Sequence, residues 1–312
     1  MQILTLPAMA PAVSCPGGGV WVLGFFDGVH MGHQTLLAAA RSMAEQTGGD
    51  VGVWTFDALP KAKHLLTDPG QRAKLLGEYG VRWLVTEAFE NVSEMSGEAF
   101  FREILLKQLA PSAIVCGFNF RFGYHGGSSA ADLIRWGREA GIRVHAEEPC
   151  LYNGRAVSST WIRSLVAEGE MDTAAALLTR PYSITGTVEH GKALGRKLGF
   201  PTANLRLPVG KAAPARGIYT CTVRFTDAAG RMNTKMGVCN IGSRPTVNGD
   251  SSDVTVETWI LDFSGDLYGR TLEIAFYQKI RDEKRFDSLM DLQDQVQRDG
   301  ETVRAYFAGR NI

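Results

Sequence analysis

The chain has 312 residues, 45% of them hydrophobic and 21% charged, with 33 Lys+Arg against 33 Asp+Glu. That length exceeds what a single hydrophobic core usually spans, so two domains are expected, and the composition excludes disordered and fibrous classes. The balanced charge removes the basic surface that general nucleic-acid binding requires, so no nucleic-acid partner is expected and any anion site must be local.

Five cysteines, Cys15, Cys116, Cys150, Cys221 and Cys239, are scattered without a CxxC pair, which points to a reducing compartment and away from a disulfide framework or structural zinc. The first eighteen residues are apolar, but no Lys or Arg precedes them and prolines interrupt them, a poor match to a secretory leader. No run is long enough to span a bilayer. The expected location is cytoplasmic, with no membrane partner.

From Val20 to about Cys150, short β-branched or aromatic runs alternate with longer helical stretches, the pattern of an α/β domain built on a parallel sheet. Strands are predicted at Val20 to Phe26, Val51 to Phe56, Arg82 to Thr86, Ala113 to Cys116 and Arg143 to Ala146. Helices are predicted at Gln34 to Gln46, Gln71 to Tyr79, Gly97 to Leu109 and Ala130 to Ala140. This half is Rossmann-like in outline. Ser158 to Leu178 reads as two short helices, with Ser158, Ser159 and Thr160 as cap candidates for the first and Asp172 for the second. Arg180-Pro181 ends them, placing the domain boundary between residues 180 and 181. After Tyr182 the texture changes to short β-prone runs broken by glycines, which suggests a small antiparallel barrel or sandwich. A closing helix is expected to carry Phe286, Leu289, Leu292 and Val296 along one face against it.

Gly24 to Leu37, GFFDGVHMGHQTLL, sets glycines and two histidines between a first strand and a helix start, where α/β sheets bind ligands. Gly28 and Gly32 let backbone approach phosphate oxygens, and the helix N-terminus favours anions. His30 and His33 are then candidate donors to a leaving pyrophosphate, needing no covalent intermediate. Alternatively they are packed or solvated side chains. In SSTWIRSL (Ser158 to Leu165), hydroxyls at a helix start and Arg163 offer a second phosphate cradle. The two motifs together resemble the HxGH nucleotidylyltransferases.

In the second half, HGKALGRKLGFPTANL (His190 to Leu205) packs three glycines and three Lys or Arg residues into sixteen positions, a loop able to close over phosphates without the P-loop pattern. Thr202 and Asn204 supply neutral oxygens suited to Mg²⁺. Glu257 lies on a predicted strand, as the acceptor of a hydroxyl proton in phosphoryl transfer or, alternatively, as an outward-facing strand glutamate.

Read in order, GFFDGVHMGHQ, FNFRFG (Phe118 to Gly123), SSTWIR, RPYSITGTVEHG, GRKLGFPTANL, NIGSRPT (Asn240 to Thr246), LDFSGDLYGR and IRDEKRFDSL resemble the bacterial bifunctional riboflavin kinase/FMN adenylyltransferase family from about Trp21 to Asp299. The resemblance implies a C-terminal barrel that phosphorylates riboflavin to FMN with ATP and Mg²⁺, and an N-terminal domain that adenylylates FMN to FAD. Thr202 and Asn204 then correspond to metal and phosphate ligands and Glu257 to the catalytic base. Gly191, Lys192, Gly195, Arg196, Gly199 and Pro201 fall in the ATP flap, and Arg281, Glu283 and Phe286 where the flavin is covered. In the N-terminal half, His30, His33, Ser159, Thr160 and Arg163 correspond to the phosphate-handling set, with Gly24, Phe26, Asp27, Gly28 and Gly32 around the nucleotide. Asn119 corresponds to a flavin or triphosphate contact.

Four departures stand out. TFDALP (Thr55 to Pro60) lacks the family's histidine-bearing turn, Trp161 replaces a basic residue, YHGGSS (Tyr124 to Ser129) replaces a charged stretch, and Trp259 replaces a histidine. Loss of an Arg at a phosphate site removes a bond of ~1.5 to 3 kcal/mol. These departures keep open a riboflavin kinase whose N-terminal domain is weakened or altered in specificity, and, in another class, a non-catalytic flavin-sensing regulator. Oligomeric state is not predicted.

Overall fold

The computed structural model describes residues 1–5, 18–58, 63–191, 195, 198–227, 229–244 and 253–310. The chain divides into two compact units, Met1–Ser159 and Thr160–Ile312. The division falls ahead of the expected boundary at residue 180, because the two helices that follow Ser158 join the second unit, where the latter of them lies against its strands.

In the first unit the chain runs β1 (Gln2–Thr5), β2 (Val20–Leu23), α1 (Met31–Thr47), β3 (Val51–Phe56), α2 (Pro69–Glu78), β4 (Trp83–Glu87), α3 (Phe89–Val92) and α4 (Gly97–Ala99). A π-helical segment (Phe100–Leu109), β5 (Ala113–Gly117), the β6 (Arg121–Phe122) and β7 (Ser128–Ser129) hairpin, α5 (Ala130–Glu139), β8 (Arg143–Glu147) and the β9 (Leu151–Tyr152) and β10 (Arg155–Ala156) hairpin follow. Six strands pair in parallel in the order β1-β4-β3-β2-β5-β8. Alternation along β2 sends Val20 and Val22 to a core with Leu36, Leu37 and Leu76, and Trp21 and Leu23 to a core with Phe101, Ile104 and Leu133. Both faces are therefore covered, as a parallel sheet demands.

Three details differ from expectation. β1, absent from the pattern-based reading, extends the sheet edge beside β4. β2 ends at Leu23 instead of Phe26, because the chain turns sharply through Phe26 (φ 57°) and Val29 (φ 42°). The helix from Gly97 becomes π-helical at Phe100; its buried pairs Phe100-Phe101, Ile104-Leu105 and Gln108-Leu109 recur every four residues, a spacing that wider winding accommodates.

The second unit begins one residue into α6 (Ser159–Glu168), which α7 (Met171–Leu178) follows. Asp172 is not the cap of α7: Glu170 holds that position and Asp172 lies in the first turn, where it complements the helix dipole. Then come β11 (Tyr182–Thr187), β12 (Thr202–Arg206), β13 (Gly217–Thr226), β14 (Met232–Arg244), β15 (Asp253–Ile260), β16 (Thr271–Arg281) and α8 (Leu289–Phe307). The strands form an antiparallel sheet in the order β11-β16-β13-β14-β15-β12. A bridge between Glu189, just past β11, and Asn204 of β12 joins the two ends into a barrel. Ile184, Leu205, Tyr219, Cys221, Val223, Val256 and Phe276 are buried. Ser288 caps α8 by accepting from the Asp291 amide at 3.1 Å, so Phe286 precedes the helix, and Leu289 is exposed. The apolar contact expected of those residues is made instead by Val303 and Phe307 against Ile218, Val238 and Leu261.

The C-terminal edge of the parallel sheet is held by Arg72 of α2, which is 3% exposed. It donates to the carbonyls of Phe25 (3.1 Å), Phe56 (2.9 Å) and Asp57 (3.3 Å), fastening the ends of β2 and β3 together. Burial pulls its pKa below the ordinary arginine value, while Asp27, Asp57 and Asp68 pull the other way. Arg72→Met should lower the stability of this unit by about 3 kcal/mol, since three buried carbonyls lose their donor. Native-state hydrogen exchange checks this: the amides of β2 and β3 should lose protection while those of β13 and β16 keep theirs.

Candidate active sites

In the first unit, β2 leads into a turn whose groups are mostly committed to holding it. Asp27, 2% exposed, accepts through one oxygen from the amides of Leu66 (2.8 Å) and Thr67 (3.1 Å). The Gly28 amide donates to Thr67 Oγ1 at 3.0 Å. The Asp27 carboxylate and the Gly28 N–H, both expected beside phosphate, are therefore turned toward the 66–67 loop. Gly24 admits the Phe26 ring, which a Cβ would meet at 3.1 Å. Ser159 Oγ donates to the Asp27 carbonyl at 2.8 Å, so the second motif's serine is fastened to the first motif's turn.

The histidines come together. His30 is the N-cap of α1 and makes no capping bond with its side chain. Its ring stacks on His33 with centroids 3.7 Å apart, and Phe26 closes the other side of His33 at 4.9 Å. Gly32 leaves room for the stack: a Cβ there would lie 3.3 Å from the His30 ring, a tight contact. Burial, with repulsion from His30, holds the His33 pKa well below the ordinary imidazole value, so His33 is neutral. Its Nδ1 is buried with no hydrogen-bond partner among the described residues. A bare ring nitrogen is cheaper to bury unpartnered than an N–H, which puts the proton on Nε2 and makes Nε2–H the donor.

Asn119 is exposed on the tight turn after β5, its Oδ1 3.2 Å from where a Gly117 Cβ would stand. Thr160 and Arg163 belong to the second unit, where Arg163 Nη2 donates to Thr160 Oγ1 at 3.1 Å on one face of α6. The YHGGSS segment builds the β6–β7 hairpin and ends in Ser129, which shares a reciprocal capping box with Asp132 at the start of α5. Sequence reasoning also missed Glu87, buried at the end of β4. One of its oxygens accepts from Asn91 Nδ2 at 2.6 Å and the other has no partner among the described residues, and burial pushes its pKa up.

In the second unit, the two-residue period of β12 puts Thr202 and Asn204 on one face. The register sets Thr202 opposite Trp259 and Asn204 opposite Glu257 on β15, and Glu257 opposite Asn240 on β14. Ala203, Leu205, Val256 and Thr258 alternate to the other face and are buried. Asn204 Nδ2 donates to the Thr202 carbonyl at 3.2 Å and reaches Thr202 Oγ1 at 3.4 Å. Among the described residues nothing donates a hydrogen bond to the half-buried Glu257 carboxylate.

The glycine loop is seated on this face. Gly191 lies against the Asn204 carboxamide, which a Cβ would meet at 2.6 Å, and the Glu189 amide donates to the Asn204 carbonyl at 2.8 Å. Gly195 accepts from the amides of Leu198 (3.1 Å) and Phe200 (2.8 Å), Gly199 takes a φ of 85°, and exposed Pro201 leads into β12. Lys192, Arg196, Leu59-Pro60 of TFDALP and Pro245-Thr246 of NIGSRPT lie outside the described residues. Phe200 meets Trp259 edge-on at 4.7 Å, and Gln293 of α8 donates to the Leu198 carbonyl at 3.1 Å.

Of the residues expected over the flavin, Phe286 lines a surface cavity of about 280 Å³ with Lys284, Arg285 and Arg298. Glu283 lies with Oε1 2.9 Å from where a Gly242 Cβ would stand. Arg281 grips Asp299 at 2.6 and 3.1 Å, donates to the Asp282 carbonyl at 3.0 Å and lies over the Phe286 ring, 6.0 Å from its centroid. Asp299, 2% exposed and unrecognised from sequence, makes this pair a strut between β16 and α8. Among the described residues no cluster of His, Cys, Asp and Glu could hold a metal ion, and no helix is long and apolar enough to cross a membrane.

Comparison with known proteins agrees with this two-part layout. The FAD synthetase family model matches residues 13–161 and the riboflavin kinase model residues 178–307. Bifunctional riboflavin kinase/FMN adenylyltransferases of Listeria monocytogenes and Escherichia coli K12 are 34% and 33% identical, covering 93% and 96% of this chain and 92% and 95% of their own. The Pseudomonas fluorescens enzyme is 36% identical over 93% of this chain and 94% of its own. A Streptococcus pneumoniae crystal structure titled macrolide-efflux protein superposes with a TM-score of 0.87 at 29% identity, over 97% of this chain and 98% of that one. The chain belongs to the bifunctional riboflavin kinase/FMN adenylyltransferase family, with its FAD synthetase domain N-terminal and its riboflavin kinase domain C-terminal.

Proposed function

We propose that this chain phosphorylates riboflavin to FMN in its C-terminal unit and adenylylates FMN to FAD in its N-terminal unit, using ATP in both steps. The observation that carries the reading is the register of β12 on β15, which sets the Asn204 carboxamide beside the Glu257 carboxylate, to which nothing donates among the described residues. In the kinase step Glu257 accepts the proton of the terminal ribityl hydroxyl as its oxygen bonds to the γ-phosphorus and the bond to ADP breaks. The glycine loop, seated on Asn204 through Gly191, is positioned to follow the phosphates.

Mg²⁺ suits Thr202 and Asn204, because both offer neutral hard oxygens and the face holds too few carboxylates for a metal cage, leaving coordination to substrate phosphates and water. Bound there, the ion would neutralise phosphate charge. Asn204 Nδ2, bonded toward Thr202, orients its own Oδ1 away from that residue.

In the adenylyl step an FMN phosphate oxygen bonds to the α-phosphorus of ATP and pyrophosphate leaves. The roles of His30 and His33 are to donate to the developing charge, with the first amides of α1 beside them. Ser159, Thr160 and Arg163 take the distal phosphates, and Asn119 the flavin or triphosphate. Arg281, Glu283 and Phe286 cover the flavin in the kinase unit, and Arg281 also ties β16 to α8. Half-buried Trp161, standing where the family carries a basic residue, favours a second reading in which adenylylation is slow.

Incubation with riboflavin, ATP and Mg²⁺ should yield FMN and then FAD by chromatography; FMN without FAD would leave only the kinase. Glu257→Gln should lower FMN formation by about 10²- to 10⁴-fold and leave adenylylation of supplied FMN within about twofold, as expected for chemically separate sites. His30→Ala should do the reverse, slowing FAD formation by about 10²- to 10³-fold.

A pH dependence follows from His33. Its folded pKa lies below that of the unfolded chain, so the unfolded state takes up a proton first as pH falls. Stability is therefore complete above about pH 6.5 and declines below it, by at most about 1.4 kcal/mol per pH unit for this group. His33→Asn should flatten that slope in denaturant titrations between neutral and mildly acidic pH, and an unchanged slope would show that His33 is protonated in the fold.

A further inference from the structure

We infer that Asn240 is a specificity-determining residue of the kinase site, where its carboxamide receives the ribityl hydroxyl adjacent to the one that is phosphorylated. This rests on the reading of Glu257 as the base of riboflavin phosphorylation. Asn240 is the register partner of Glu257, so the two side chains stand on the same face of neighbouring strands with Cβ atoms roughly 5 Å apart. Asn240 Oδ1 is buried and has no hydrogen-bond partner among the described residues. Such an atom costs free energy until a donor reaches it.

The surroundings say what kind of donor is missing. A Cβ on Gly242 would stand 3.6 Å from Asn240 Nδ2, 3.2 Å from Thr255 Oγ1 and 2.9 Å from Glu283 Oε1, so these polar groups converge on one glycine. No Lys or Arg is among them. Glu257 and Asn240 Oδ1 are both acceptors, and two acceptors side by side repel unless each meets its own hydrogen. A vicinal diol supplies two O–H groups at the spacing of adjacent side chains, and the end of a ribityl chain is such a diol. With its terminal hydroxyl on Glu257, the next hydroxyl falls to Asn240.

The test measures riboflavin affinity by quenching of flavin fluorescence, with ADP and Mg²⁺ present, for the full chain and for Asn240→Leu, which keeps the shape and removes both polar atoms. Asn240→Leu should weaken riboflavin binding about tenfold or more. With 4′-deoxyriboflavin as the probe, the same substitution should change affinity less than about twofold, because the hydroxyl it serves is already gone. Equal weakening for both flavins would reduce Asn240 to a packing residue and overturn the proposal. So would an unchanged flavin affinity accompanied by a shifted Mg²⁺ requirement, which would place a cation between the two acceptors. If Asn240→Leu loses its thermal transition, Asn240→Ser carries the same comparison. Failure of the unsubstituted chain to form FMN would instead sink the kinase reading itself.

Discussion

A buried carbonyl must find a donor, and at the edge of the parallel sheet where the first site lies that donor is Arg72. Three strand-end carbonyls converge on its guanidinium, so the turn after β2 cannot relax independently of the turn after β3. The same requirement explains why Asp27 and the Gly28 amide spend their bonds on the 66–67 loop. They position the turn that brings His30 and His33 into a stack, and Gly32 keeps a Cβ from crowding the His30 ring. The nucleotide motif is thus largely an instruction for holding two rings.

In the barrel the equivalent constraint is register. Because side chains alternate with a period of two, one slip of β12 against β15 would bury Asn204 and expose Ala203 and Leu205. The bridge from Glu189 to Asn204 and the close seat of Gly191 lock that register to the glycine loop. The loop is also tied to α8 through Gln293 and to β15 through Phe200 on Trp259. The loop, α8 and β15 therefore share a mechanical connection.

Local chemistry was legible in the sequence, while partners distant along the chain were not. The alternation of strand and helix from Val20 to Cys150 gave an α/β unit, and the HxGH and PTAN segments gave the residues that now stand together. What stayed hidden depended on sequence-distant contacts. β1 has no pattern of its own and exists because β4 offers it an edge. Arg72 and Asp299 look like surface charges until the carbonyls and the guanidinium they meet are in place. Arg281, expected at the flavin from its motif, also holds the Asp299 carboxylate, a partner eighteen residues away that the motif does not announce. The apolar face of α8 was sought at its start, but the barrel meets its end.

The departures from the family pattern read differently once they are placed. Trp259 stands where a histidine is usual, and its ring is received by Phe200 on one side and on the other by Gly300, where a Cβ would come within 2.7 Å. The loss of a polar ring is thus matched by packing that joins the loop before Thr202 to α8. YHGGSS likewise supplies a hairpin and the cap of α5, with Ser128 pressed so closely on Gly97 that no side chain could stand at 97. Both changes are absorbed into scaffold. Trp161 is different in kind, because packing does not replace the positive charge that the family carries at this position. It is the departure on which the proposal of slow adenylylation rests.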